Sequence, residues 1–182
     1  EYSLPFYLQR IDTGIIGTDL VDGQNWNWID YDNDGDLDAF LTNYSTNVLN
    51  RLYRCEGPHY YVKMTAAQVG TIVSDPGAYL ANLWTDFDND GDLDCFVINN
   101  SPMPINNLGY ENKRDLPDSL WPVAEFFKGG GDHLYRNDNN KFTEVTQQAG
   151  IHGTLVSFGL GVAVSDVNND GYPDVFVAND SY

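Results

Sequence analysis

The chain has 182 residues, enough for one domain with a hydrophobic core. Hydrophobic residues make up 42% of it and aromatics 14%, which argues against disorder, and no apolar run approaches the roughly 20 residues of a membrane helix. A formal charge of −18, from 27 acidic and 9 basic residues, argues against nucleic acid or anionic membrane surfaces as partners and points to hard cations.

Residues 6–10 open the chain with a strand-like segment that recurs at 61–65 and 142–146. It predicts that residues 1–14 hold the outer strand of a preceding unit. The next unit, 15–66, reads as four short strands at 25–29, 39–42, 51–54 and 60–64, rich in β-branched and aromatic residues with turn residues between. A second unit, 67–147, has matching strands at 95–98, 133–136 and 141–145, with an insert at 102–132. The stretch 148–182 supplies strands at 160–165 and 175–178, the first half of a third unit. No stretch has a convincing helical period. Residues 118–127 have room for a turn or two of helix.

Three aspartate-rich segments hold these units in register: WIDYDNDGDLDAFLTNYS from Trp28, WTDFDNDGDLDCFVINNS from Trp84, and VSDVNNDGYPDVFVANDS from Val164. The spacing is 56 residues from Asp30 to Asp86 and 80 from Asp86 to Asp166, so the insert accounts for an excess of 24. A repeated four-stranded unit of about 50 residues predicts an all-β fold, a partial β-propeller with one loop between strands 1 and 2 of each blade. Closure needs about four to eight blades, so the sequence reads as part of a longer protein.

Within each loop the pattern is D-x-D-x-D-G-x-x-D. The first comprises Asp30, Asp32, Asp34, Gly35, Asp36 and Asp38; the second Asp86, Asp88, Asp90, Gly91, Asp92 and Asp94; the third Asp166, Asn168, Asp170, Gly171, Tyr172 and Asp174. Positions one, three, five and nine offer side-chain oxygens, and position seven (Asp36, Asp92 or Tyr172) a backbone carbonyl. The glycine at six permits a turn with positive φ. All-oxygen ligation of this number predicts three Ca²⁺ sites, with Mg²⁺ and soft-ligand metals disfavoured. An EF-hand is excluded: position twelve is Leu41, Val97 or Val177 where that motif needs Glu. Thirteen of the 27 acidic residues lie in the loops, and carboxylates this crowded should raise one another's pKa.

These loops resemble the FG-GAP/VCBS calcium-loop repeats of integrin α-subunit propellers and bacterial surface proteins. Phe158-Gly159-Leu160-Gly161 resembles the FG half of the motif. The segments 134–137, 142–146 and 149–151 are similar to the cartilage-acidic-protein/UnbV-like branch. The resemblance implies a seven- or eight-bladed propeller, calcium in the loops, and an extracellular, cell-surface or periplasmic protein.

No catalytic constellation stands out. His59, His133 and His152 occupy separate repeat positions without Ser or Cys partners, so a non-enzymatic structural, adhesion or partner-binding scaffold is expected. The alternative is the propeller portion of a polysaccharide hydrolase or lyase, for which Glu125 and Asp132 are the loose candidates. The insert, with Tyr110, Trp121, Phe126 and Phe127, is the expected surface for a protein or glycan partner. The remaining blades of the full-length chain are the other expected partner. Asn43, Asn99 and Asn179 sit in N-x-S sequons at one repeat position, where strand capping is favoured over glycans. The tyrosines and tryptophans are expected to be mostly core. Cys55 and Cys95 form either one disulfide or two thiols.

Overall fold

In the computed structural model, residues 14–19, 23–45, 48–100, 131–151 and 159–179 are described. The predicted strand at 6–10, most of the insert with Tyr110, Trp121, Glu125, Phe126 and Phe127, and also His152 and Phe158, lie outside them.

Each aspartate loop joins two antiparallel strands. β1 (Gly23–Ile29), β2 (Asp38–Ser45), β3 (Arg51–Gly57) and β4 (Tyr60–Lys63) pair in sequence as one blade. β5 (Gly77–Thr85), β6 (Asp94–Asn99), β7 (His133–Asn137) and β8 (Phe142–Glu144) form a second blade in the same way. β9 (Gly159–Ser165) and β10 (Asp174–Asn179) are the inner pair of a third. The chain is thus an all-β partial propeller, as the repeat predicts. The second strand of each blade is longer than expected because the ninth-position aspartate already belongs to it.

Among the described residues helix is confined to two short segments, α1 (Gly14–Thr18) and α2 (Ala66–Val69), and a 3-10 turn at Thr71–Val73. The sequence shows no helical period because none of these exceeds about one turn. A local signal does exist for α2: Gln68 Oε1 accepts the Thr65 N–H (3.0 Å) and hydroxyl (2.7 Å), a capping-box pairing. Asp19, just after α1, fastens that helix to blade one. Its Oδ2 accepts bonds from Arg51 (2.7 Å), Tyr53 Oη (2.8 Å) and Lys63 (2.9 Å).

The main core lies between blades one and two. Blade one contributes Ile29, Tyr31, Phe40, Leu52 and Met64; blade two contributes Tyr79, Cys95, Val97, Tyr135 and Phe142. Val69, Ile72 and Val73, on the connector between them, complete it. Trp84 closes the seam, edge-on to Phe40 (5.2 Å) and to Phe142 (5.6 Å). Nearer the inner strands the contact turns polar: Asn27 Nδ2 donates to Asn82 Oδ1 at 2.6 Å. Cys55 and Cys95 are free thiols.

The expectation that the tyrosines and tryptophans are mostly core needs correction at Tyr44, Tyr60 and Tyr172, which are exposed, and at two tryptophans. Trp26 and Trp28 are 41% and 52% exposed, on the side of blade one away from blade two. There Trp26 stacks on Tyr53 (5.9 Å) and Trp28 meets Tyr61 edge-on (5.9 Å). Trp84 occupies the same repeat position as Trp28 but faces blade one, which covers it.

The repeat also identifies a face left open among the described residues. Met64 N–H donates to Leu52 O, and Val145 N–H to Leu134 O, both at 2.8 Å, so Leu134 and Val145 are the counterparts of Leu52 and Met64. In blade one this face is buried against Tyr135 and Phe142. In blade two Leu134, Val145 and Phe87 line an open cavity of about 520 Å³.

Phe142 touches Tyr31 and Trp84 and is fully buried. Phe142→Ala is expected to cost roughly 3–5 kcal/mol, read as a lowered urea midpoint with little change in slope.

Candidate metal centre

The loops adopt one backbone shape. Position four is left-handed (φ 57 at Asn33, 60 at Asn89, 58 at Asn169), as is the glycine at position six (φ 92, 99 and 89). Asparagine tolerates this region better than most residues, and glycine occupies it without a Cβ clash. The sequence predicts the requirement at six but not the one at four, although N-D-G recurs in all three loops.

This shape turns backbone N–H groups inward. In loop one Asp30 accepts the Asp34 and Gly35 N–H groups, one on each oxygen, at 3.0 Å. In loop two Asp86 accepts those of Asp90 (3.1 Å) and Gly91 (2.9 Å), and in loop three Asp166 accepts those of Asp170 (3.1 Å) and Gly171 (2.9 Å). Position five uses one oxygen on the N–H of position seven, at 2.9 Å for Asp34, Asp90 and Asp170 alike.

The ninth position leaves the loop for the core. Asp38 and Asp94 are buried, and each spans two elements. Asp38 Oδ2 accepts the Tyr31 N–H (3.3 Å) while Oδ1 accepts the Cys55 N–H of β3 (2.7 Å). Asp94 does the same with Phe87 and with Asn137 of β7, both at 2.8 Å. Asp174 accepts the Val167 N–H at 2.8 Å.

Positions one, three and nine converge. One oxygen each of Asp30, Asp32 and Asp38 lies within 4.8 Å of the others, and Asp86, Asp88 and Asp94 repeat the group. Asp32 Oδ1 is buried without a hydrogen-bond partner. A buried, unsatisfied carboxylate oxygen on a residue grouped with two other carboxylates is costly, and a divalent cation would offset that cost. The residues present therefore fit a hard cation held by oxygen. Loop three forms no such carboxylate trio among the described residues, since Asn168 replaces the third-position acid and donates its amide to Asp170 Oδ2 at 2.9 Å. Position seven differs between loops. In loop two Asp92 Oδ2 accepts the Asn139 N–H at 2.9 Å. The Asp36 side chain is exposed, and so is that of Tyr172.

Burial, more than mutual repulsion, sets the acidities. It pushes Asp38 up to about 7, opposed by the Cys55 N–H and reinforced by Asp32. Asp94 is pushed to about 6 in the same way, opposed by the Asn137 and Phe87 N–H groups. Asp32 and Asp88 are also raised, by burial first and by their neighbouring aspartates second. Charge crowding, which the sequence predicts, is therefore the lesser cause. The greater one is the strand that carries position nine into the interior.

A profile of the FG-GAP-like repeat matches residues 30–97 and 117–177, most of the chain. The chain belongs to the FG-GAP-like repeat family. No curated protein matches it.

Among the FG-GAP-like repeat positions outside the loops, Asn43 and Asn99 are buried, the first within β2 and the second at the end of β6. Asn43 Nδ2 donates to Leu49 O (2.7 Å), and Asn99 Oδ1 accepts the Ala78 N–H (2.8 Å). Asn99 ends its strand, whereas β2 runs two residues past Asn43, and burial leaves no room for a glycan on either. Of the catalytic candidates within the described residues, His59 is exposed, His133 stacks on Tyr135 (6.0 Å), and Asp132, pushed up to about 6 by burial, accepts the Asn99 N–H at 3.2 Å.

The raised carboxyls fix the sign of a pH effect in the cation-free protein. A folded pKa of about 7 for Asp38, or about 6 for Asp94, against an unfolded value of about 4, means that the folded state holds the extra protons between those limits. Without cation, thermal stability is therefore expected to rise as pH falls from about 7.5 to about 5. A melting temperature in chelator that falls steadily over that range would contradict the assignment.

Proposed function

We propose that this FG-GAP-like array is a calcium-binding, non-enzymatic scaffold module of an extracellular, cell-surface or periplasmic protein. The observation that carries the reading is the trio of Asp30, Asp32 and Asp38, with the unpartnered Asp32 oxygen, repeated as Asp86, Asp88 and Asp94. Hard oxygen donors of this number suit Ca²⁺ better than the smaller Mg²⁺. The ligands would be the side chains at positions one, three, five and nine and the carbonyl at seven, with Asn168 serving in loop three. A bound cation would neutralise the trio and hold the loop to β2 and β3 of its own blade. All protein ligands come from one loop and its following strand, which suits a structural ion.

Loops of this type need calcium up to about millimolar to stay filled, which supports an extracytoplasmic setting, as does the charge of −18. No helix among the described residues is long and apolar enough to cross a membrane. The face bearing Phe87, Leu134 and Val145 is the seat for the outer strands of a further blade, because its counterpart in blade one is covered in that manner. The insert at 102–132 is the proposed surface for a protein or glycan partner, since loops on a rigid scaffold are free to carry recognition.

Calcium at about 100 times its dissociation constant stabilises the folded state by roughly 2.7 kcal/mol per site. Adding calcium after chelation should raise the melting temperature by at least about 5 °C for a chain of this size. Asp32→Ala with Asp88→Ala should remove most of that rise. An equal rise with magnesium, or none with calcium, would sink the reading.

A further inference from the structure

The loops of successive blades touch. Asn33, at position four of loop one, donates through Nδ2 to the Gly91 carbonyl (3.1 Å) and to Asp92 Oδ1 (3.2 Å) of loop two. Asn89, at position four of loop two, donates to the Gly171 carbonyl of loop three at 3.0 Å. The same side chain thus makes the same contact twice, 56 residues apart. A second connection runs deeper. Asn137 gives its N–H to Asp94 Oδ1 (2.8 Å) and its side-chain amide to Tyr31 O and Leu93 O, both at 3.2 Å. One buried residue therefore holds the ninth-position ligand of loop two and the start of loop one.

We propose that Asn33 and Asn89 are positioning residues that couple the cation loops, so that filling one loop raises the affinity of the next. The inference rests on the calcium reading above. Its physical basis is ordering. A loop must fix its turn before its oxygens can converge on an ion, and that lost entropy opposes binding. The turn between Gly91 and Asp92 is held from outside by Asn33, on both the carbonyl before Asp92 and the carboxylate of Asp92. An ion in loop one fixes the backbone that aims Asn33, and so removes part of the ordering cost in loop two. By linkage the effect runs equally in reverse. The left-handed backbone at position four is part of the device, since it directs the amide across the gap between blades.

The test is a calcium titration by calorimetry on the whole chain, with Asn33→Gly and Asn89→Gly as variants. Glycine keeps the positive φ and removes only the amide, so the loop shape survives. The chain as it stands should bind with a Hill coefficient above one. The double variant should keep its stoichiometry, lose cooperativity, and bind about threefold more weakly, the usual effect of one exposed hydrogen bond. A loop-one knockout, Asp30→Asn with Asp32→Asn, should weaken loop two in the natural background but not once Asn33 is glycine. Independent sites in the unaltered chain, or a knockout effect that persists without Asn33, would overturn the coupling while leaving calcium binding intact. No calcium binding in any form would remove the reading beneath it as well.

Discussion

The arrangement depends on one buried carboxylate per blade. Asp38 and Asp94 each take an N–H from the first residues of the loop on one oxygen, and an N–H from strand three on the other. Loop, second strand and third strand meet at that group. It is buried because β2 and β6 run through the middle of their blades, and burial is also what raises its pKa. Backbone bonds offset part of the desolvation; two further carboxylates at the same place oppose ionisation. The same residue is thus a structural knot and the costly member of an acidic trio, and the proposed cation would reconcile the two roles.

Much of this was legible in the chain because the repeat does the reading. Three aligned loops fixed the positions of β2, β6 and β10, and the Leu-Tyr-Arg matches fixed β3 and β7. Position six announced its backbone through glycine. The asparagine at position four announced nothing by itself, because its left-handed φ serves a contact with the next loop, and a single repeat shows no such neighbour. Trp28 misled for a related reason. Trp28 and Trp84 are equivalent in register, yet only Trp84 has a preceding blade to cover it among the described residues. Periodicity identifies the face a side chain occupies, not whether another blade lies against it.

Besides a short backbone pairing of β2 with β5 at Tyr44–Ala78 and Ser45–Gly77, side chains join blades one and two in two different ways. The outer contact is apolar, built from Leu52, Met64, Tyr135 and Phe142, and it is generic to stacked sheets. The inner contact is made of amides: Asn27 on Asn82, Asn137 on Tyr31, Asn33 on Gly91. Apolar packing tolerates sliding, whereas paired amides demand a fixed register. The amide seam lies along the loops and inner strands, so the register between blades is set where the acidic trios sit. The outer strands then follow.

The pair β9–β10 shows what the inner strands of a blade expose where, among the described residues, no third strand pairs with them. Among the described residues β10 pairs only with β9, and Phe176 is 53% exposed where its counterparts Phe40 and Phe96 are buried. A free strand edge beside an uncovered aromatic is a template for pairing with another molecule. Wherever that edge is left unpaired, edge addition of one copy's β10 against another's strand is the route by which the array would self-associate. The strong negative charge works against such growth, so added salt, by screening it, would promote it.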